Sequence, residues 1–298
     1  MPRFQDLEEE YDELWEDMTI HANRLTEIRM RAADILLSQN RRRYESVQNS
    51  TDTPWMVIAC IHSLESDLSF RSHLHNGDPL SARTVRWPRG RPAAGQPPFT
   101  WEESAIDAIN MKQTSEVESW SIAECLFYFE RYNGWGYRTG AGRRTTPPKR
   151  SPYLWSFTDH YERGKYVRDG QFDSNAVSRQ IGAAPLLKVL IDETGEEPAD
   201  FTITTRPIDA TPTRPILRRG SRGPVVAELQ VLLRDAGYSP GDIDGIFGPR
   251  TEQAVERFQI AFELLVDGIV GPQTWRTLDP SDVDDDEVDV VDPPEGLR

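Results

Sequence analysis

Glu65 is the residue whose type and surroundings most directly suggest chemistry. It lies in TPWMVIACIHSLESDLSF, residues 53–70, seven positions after Ile58 and four after Ile61, so a helix carries its carboxylate on an apolar stripe. Desolvation on such a stripe favours the neutral acid and raises its pKa. A carboxylic acid still protonated near neutrality is what a glycosidic leaving oxygen requires of a general acid. A hydrolase also needs a second carboxylate, roughly 6.5–9.5 Å away for inversion or about 5–5.5 Å for retention. Asp78 in HNGDPL and Asp67 are nearest along the chain. Asp67 is two positions from Glu65 and points to another helix face, so Asp78 is preferred, with Glu102 and Glu103 left open. His73 and His75 alternate in the same loop but have no apparent third ligand, so no metal is expected and they read as hydrogen-bonding to a sugar, with His75 the candidate, or as plain solvent-exposed residues. No Ser-His-Asp order, Gly-rich phosphate loop or zinc amidase pattern stands out, and no cofactor is expected.

The elements that must position these groups read as mainly α. Leu7, Tyr11, Leu14, Met18, Ala22, Leu25, Ile28, Ala32 and Ile35 recur every three or four residues, which predicts one long amphipathic helix. Thr53-Pro54 predicts a helix start with a capping hydroxyl, and that helix, bearing Glu65, runs to about Leu68. HNGDPL and WPRGRPAAGQPPF then form a long loop with room for a short hairpin. A helix is predicted over Trp101–Met111. Another starts at the Ser121/Glu124 capping box and ends at Asn133-Gly134. A last apolar helix over Ala176–Ile191 closes a first domain at residues 1–192. Residues 193–214, rich in proline and threonine, read as a linker.

Two turns then repeat one pattern, Asp244-Gly245-Ile246-Phe247-Gly248-Pro249-Arg250-Thr251 and Asp267-Gly268-Ile269-Val270-Gly271-Pro272-Gln273-Thr274. The glycines are expected at positive φ, and Thr251 and Thr274 are expected to cap the following helices. With LRRGSRGPVVAELQVLL, AVERFQ and Thr274-Trp275, residues 215–279 resemble the peptidoglycan-binding-1 family, a small three-helix bundle. ELLVDG stands where that family more often shows a Gly-Leu pair before the aspartate. The resemblance implies peptidoglycan as partner, with Asp244, Gly245, Phe247, Gly248, Thr251, Asp267, Gly268, Gly271 and Thr274 as the binding residues.

The first domain carries a second resemblance. IACIHSLESDLSF is similar to the Glu-Ser motif of goose-type lysozymes and soluble lytic transglycosylases, and ERYNGWGY to the Tyr-Asn-x-Gly motif that faces this Glu across the cleft. Together with HNGDPL and SPYLWS…YERGKYVRDGQFD, residues 50–190 resemble a bacterial and phage group of lysozyme-family proteins. The resemblance implies a lysozyme-like helical domain with Glu65 as acid and Ser66 supporting it. Tyr132, Asn133, His75 and Asn76 are then the expected contacts to the sugar. The expected activity is a muramidase cutting between N-acetylmuramic acid and N-acetylglucosamine. A lytic transglycosylase or chitinase-like enzyme on the same scaffold, or a non-catalytic wall-binding virion component, are the alternatives. The Gly-Leu-Met-Gln type motif of transglycosylases is not visible.

Composition bounds these readings. The net charge is −15, but nine acidic residues and one arginine lie between Asp279 and Arg298, so residues 280–298 read as an acidic disordered tail. The balance argues against nucleic acid as partner. Basic clusters at Arg83, Arg86, Arg89 and Arg91, and at Arg138, Arg143, Arg144, Lys149 and Arg150, read as solvated loops that stem-peptide carboxylates could meet. Trp87, Trp101, Trp135 and Trp155 are candidates to stack on sugar rings. Cys60 and Cys125 read as buried free thiols. No apolar run is long enough to span a bilayer, and the first residues show no signal peptide. The expected route to the wall is therefore holin-type release or delivery by a particle, with phage or particle components as possible partners.

Overall fold

The computed structural model describes residues 2–113, 116–144, 149–168, 170–201, 214–262, 264 and 266–279, and it is mainly α. The chain divides into two compact units, Met1–Thr205 and Arg206–Arg298. The first contains α1 (Glu8–Glu16), α2 (Leu25–Leu36), α3 (Ser38–Thr51), α4 (Trp55–Ser66), α5 (Trp101–Lys112), α6 (Ile122–Asn133), α7 (Gly136–Thr139), α8 (Pro152–Trp155) and α9 (Ala183–Thr194). Between α8 and α9, β1 (Lys165–Arg168) and β2 (Gln171–Asp173) pair antiparallel, with Lys165 opposite Asp173 and an irregularity after Tyr166.

The single long N-terminal helix expected over Leu7–Ile35 is instead two helices, α1 and α2, joined by a pinned extended segment. Ile20 forms an antiparallel bridge with Thr158, the Thr19 N–H donates to Asp159 at 3.0 Å, and the His21 N–H donates to the Phe157 carbonyl at 3.0 Å. Backbone pairing to a distant loop has overridden the helical period. α1 packs on α6, where the Tyr11 hydroxyl (2.6 Å) and Arg138 Nε (2.8 Å) both donate to the buried Glu130.

α4 is the central helix of this unit. Every residue from Trp55 to Leu64 is buried, against α3, α6 and α9. A helix apolar all round belongs inside a core, so the Ile58–Ile61 stripe does not by itself say which way Glu65 faces. Thr53 does not cap α4. Its hydroxyl donates to the Thr51 carbonyl, and Gln48 Oε1 accepts the Trp55 N–H at 2.7 Å instead. Within the core, His62 is fully buried among Tyr44, Phe70 and Trp101, and burial pushes its pKa down to about 3. Cys60 and Cys125 are buried free thiols.

α9 begins at Ala183, later than expected, because Gly182 lies against the backbone of α8. A Cβ there would sit 2.3 Å from the Leu154 carbonyl oxygen and 2.8 Å from the Ser156 nitrogen. Gly182→Ala is therefore expected to cost about 2–3 kcal/mol, as overpacking against backbone does, read as a lower denaturation midpoint. The first unit also extends past the expected boundary at 192. Glu196 accepts from Arg41 at 2.7 Å and from Trp55 Nε1 at 3.2 Å, and Pro198 is buried. The expected linker thus begins later, and its residues 202–213, like the acidic tail at 280–298, lie outside the described residues.

The second unit packs α10 (Pro224–Asp235), α11 (Pro249–Ala261) and α12 (Pro272–Leu278) around Val226, Leu229, Leu233, Phe247, Phe258, Val270 and Trp275. Each helix opens on a Gly-Pro pair, with proline in the first turn where its missing N–H costs nothing. In the doubled turn Gly245 and Gly268 take φ of 69° and 68°, as expected. Gly248 and Gly271 do not; they are extended N-caps at φ −92° and −93°. Thr251 and Thr274 are not caps either. Each hydroxyl is buried and accepts from a glutamine, Gln230 Nε2 at 3.3 Å and Gln259 Nε2 at 3.4 Å.

Candidate active site

Glu65 stands at the last turn of α4, where the buried helix emerges. The residue as a whole is half-buried, and protein surrounds most of its carboxyl group. The chain leaves α4 through two consecutive left-handed residues, Asp67 and Leu68, at φ 53° and 58°. Non-glycine residues held there store strain of the kind that gathers at functional sites.

Three residues from other elements gather at Glu65. Tyr153 of α8 donates its hydroxyl to Glu65 Oε1 at 2.9 Å. Lys112, at the end of α5, donates to the Tyr132 carbonyl at 3.2 Å and lies 5.3 Å from the Tyr132 ring. Burial raises the Glu65 pKa to about 7, against the opposing pull of the Tyr153 hydrogen bond and the Lys112 charge. Burial, then the Glu65 charge, pushes the Tyr132 and Tyr153 hydroxyls well above their usual range, so both are neutral donors. Lys112 is lowered by burial, with Glu65 opposing.

A cleft of about 600 Å³ opens beside this cluster, lined by Asn133, Gly134, Tyr153, Tyr166, Ser178 and Gln180 among others. Tyr153 therefore touches both the cleft and the acid. Gln180 does so one residue away, donating to the Leu64 carbonyl at 2.9 Å. β1 also lines the cleft through Lys165, Val167 and Arg168.

The structure brings Glu65, Tyr132 and, along the cleft wall, Asn133 into one region. Asn133 is exposed. It sets four other expected site residues to structural work. Asp78 is buried, and its carboxylate accepts from Val85 N (2.9 Å), Arg86 N (3.0 Å) and Arg86 Nε (2.5 Å). Burial alone would raise Asp78, but these donors hold it at about 2. So weak a base, with its oxygens already occupied, fixes its loop rather than activating water. His75 is buried, with Nε2 at 2.7 Å from Asp107 and Nδ1 at 3.3 Å from Ser104. Both ring nitrogens are used inside the fold, which leaves none for a sugar. Asn76 is spent in the same way: its amide nitrogen donates to the Arg86 and Trp87 carbonyls while its oxygen accepts the Asp78 N–H. Ser66 donates back to the His62 carbonyl at 3.4 Å. The other carboxylates first considered are also engaged, Asp67 with Arg31, Glu102 with Arg43, and Glu103 in the capping box of α5.

Tyr153, Lys112 and Gln180 are the residues that sequence reasoning missed. Tyr153 sits in SPYLWS, which was read only as part of a resemblance, and neither Lys112 nor Gln180 has a local pattern that sets it apart. Removing the Tyr153 hydroxyl takes away a donor that favours the ionised acid. Tyr153→Phe is accordingly expected to move the Glu65 pKa upward from about 7. The alkaline limb of a pH–rate profile for kcat/KM should shift to higher pH.

In the second unit the expected binding residues mostly build the turns. Asp244 Oδ1 accepts from Gln230 Nε2 and Ile246 N, and Asp267 Oδ1 from Gln259 Nε2 and Ile269 N. Phe247 is core. Gly245 lies so close to the Gly223 carbonyl that a Cβ would approach it to 3.1 Å. These residues shape the three-helix module from within; the two glutamines that organise them were not singled out from sequence.

Residues 222–278 match the family described as "Putative peptidoglycan binding domain". The chain is 49% identical over 67 residues to the zinc D-Ala-D-Ala carboxypeptidase of Streptomyces albus G, covering 21% of this chain and 25% of that one. It is 45% identical over 83 residues to the spore cortex-lytic enzyme of Bacillus subtilis (strain 168), covering 26% and 27%. Among solved structures it is similar to the Burkholderia AP3 phage endolysin, at 46% identity over 24% of this chain and 27% of the other, with a TM-score of 0.21. The chain spans at most 58% of the length of the first curated relatives it matches, and the matches cover the C-terminal module alone.

Proposed function

We propose that this protein cleaves the β-1,4 bond between N-acetylmuramic acid and N-acetylglucosamine in peptidoglycan, with Glu65 as general acid and the C-terminal module holding it on the polymer. The observation that carries the reading is Glu65 itself, a half-buried carboxylic acid raised to about 7 and hydrogen-bonded to Tyr153 on the wall of a 600 Å³ cleft. Two further facts support it: the match of residues 222–278 to a peptidoglycan-binding family, and wall-lytic names among the relatives of that module.

In this mechanism Glu65 passes its proton to the glycosidic oxygen as the C–O bond breaks, leaving a carboxylate. Tyr153 keeps that carboxylate oriented, and the Lys112 charge favours it once formed. A bound module raises the local concentration of glycan without adding a catalytic contact.

The occupied Asp78 carboxylate favours a particular second step. With its oxygens bonded to Arg86 and Val85, attack on C1 by the substrate's own C6 hydroxyl, which gives its proton back to the Glu65 carboxylate, is better supplied than attack by a water that Asp78 would have to activate. Digestion of purified peptidoglycan followed by mass spectrometry tests both steps. Products ending in 1,6-anhydro-muramic acid agree with the internal attack, reducing ends with hydrolysis, and no glycan cleavage overturns the proposal.

A further inference from the structure

We propose that the loop of residues 84–91 is a second, rigid subsite, which grips a peptidoglycan strand by stacking Trp87 on a sugar face and pairing Arg86 and Arg89 with stem-peptide carboxylates. This rests on the cleavage reading for its substrate but on separate residues for its geometry.

Trp87 is 86% exposed and Val85 beside it 70% exposed. An indole turned into water is ordinary on a loose loop, but this loop is braced from beneath. Asp78 accepts the N–H groups of Val85 and Arg86, and Asn76 donates to the Arg86 and Trp87 carbonyls. Thr84 is buried; its hydroxyl donates to the Pro88 carbonyl and accepts the Arg91 N–H at 2.9 Å, while its own N–H donates to the Arg91 carbonyl at 2.8 Å. Arg91 is anchored to Asp107 at 2.8 Å. The residues that first looked like catalytic and sugar-binding groups, Asp78 and Asn76, thus hold up the loop that displays Trp87.

Fixing an apolar plate in advance removes the ordering cost that binding would otherwise meet. The chemistry around the plate selects its occupant. Sugar rings present apolar C–H faces that suit an indole, and guanidinium groups suit carboxylates. Arg86 and Arg89 are both exposed, and Arg86 spends only its Nε on Asp78. A neutral glycan has no use for these cations, whereas a strand carrying stem peptides does.

Arg86 also lies close to the end of the helix that carries the acid. A Cβ at Gly77 would lie 3.3 Å from the Glu65 carbonyl oxygen, 4.0 Å from the Ser66 Cβ and 3.9 Å from Arg86 Nη2, so Arg86 and the end of α4 flank the same glycine.

The test uses the full chain carrying Glu65→Gln and labelled with 5-fluorotryptophan, the Trp87 resonance being assigned with Trp87→Phe. It is titrated with the N-acetylglucosamine–N-acetylmuramic acid disaccharide bearing its stem peptide, and with the same disaccharide whose lactyl carboxyl is capped as a methyl amide and so carries no charge. The Trp87 resonance should shift saturably with the peptide-bearing probe. Affinity should be at least roughly tenfold weaker for the capped disaccharide, about the worth of one charge-assisted contact, and Arg89→Ala should narrow that difference. In the otherwise native chain, Trp87→Ala should raise KM on soluble strands while kcat is kept. An unmoved Trp87 resonance overturns the subsite, as does equal affinity for the two probes or a shift seen only with anionic phospholipid vesicles. If the native chain cleaves and Trp87 stays silent, the subsite falls alone. If Trp87 shifts and no cleavage occurs, the subsite stands and the assigned reaction falls.

Discussion

Glu65→Gln is expected to lower clearing of a peptidoglycan gel by at least about a thousandfold, within the range that a positioned general acid contributes, while making the protein more stable at alkaline pH. The variant keeps the shape of the side chain and can still accept from Tyr153, but has no proton to give at the glycosidic oxygen. The stability effect follows from the sign of the pKa shift. Folding raises Glu65 from 4.5 to about 7, so the contribution of the neutral acid is fully present below 4.5 and is lost as pH rises through about 7. Above that, the folded protein must hold a desolvated charge. The full shift corresponds to about 3 kcal/mol, and partial exposure of Glu65 discounts it to about 1–2 kcal/mol at pH 8. Thermal melts of the two proteins should therefore coincide near pH 4 and separate at pH 8, with Glu65→Gln the higher in Tm. Activity of the native chain should fall in the same pH range, because the acid must be protonated to act. Unchanged clearing by the variant would sink the assignment. Lost clearing with a lowered Tm at every pH would mean that the substitution had only damaged the fold.

Gln230→Ala is expected to melt the C-terminal module and detach the protein from insoluble walls. Gln230 is buried, donates to Asp244 Oδ1 (3.0 Å) and the Ile246 carbonyl (3.1 Å), and accepts the Gly245 N–H at 2.9 Å. Removing it leaves part-buried backbone groups without their partner, each costing at most about 1–3 kcal/mol, and opens a cavity where the buried Gln230 side chain stood, in a unit too small to absorb several such losses. Gln259 holds the second turn through Asp267, Gly268 and Ile269 in the same manner, so Gln259→Ala should behave alike. Co-sedimentation with purified walls should drop at least about tenfold, which is roughly 1.4 kcal/mol, while turnover of soluble strands is kept. Proteolysis should cut first within the module. Full retention on the wall by a chain whose module is demonstrably melted would assign retention to the first unit.

The two units differ in how much of them was legible in the sequence. The doubled Asp-Gly-Ile turn exposed the module because its glycines at 245 and 268 satisfy a local backbone demand. The same local logic made the Ser121/Glu124 capping box and the end at Gly134 readable. It failed for Thr53, whose hydroxyl turns back to Thr51 while Gln48 takes the Trp55 N–H, for Thr251 and Thr274, whose hydroxyls accept from distant glutamines, and for the N-terminal helix, which Asp159 interrupts from 140 positions away.

The polar residues around Glu65 show the same division. Asp78, His75 and Asn76 have the types that a sugar-cleaving site uses, and a sequence lists types. Their hydrogen bonds to Arg86, Asp107 and Trp87 turn them inward. Tyr153, Lys112 and Gln180 come from α8, the end of α5 and the segment before α9. No spacing links them to Glu65.

What the sequence determined by itself was the mainly helical class, the wall-binding module and the placing of one carboxylate at the end of an apolar helix. Each depends on residues within a few turns of one another, where periodicity and backbone geometry act directly. The tertiary structure alone decided which groups surround Glu65, that Asp78 braces a loop, and that Trp87 is held out in water. Those outcomes depend on which buried donors and acceptors meet across the fold, because an unpaired polar group in the core is costly and takes whatever partner packing brings to it.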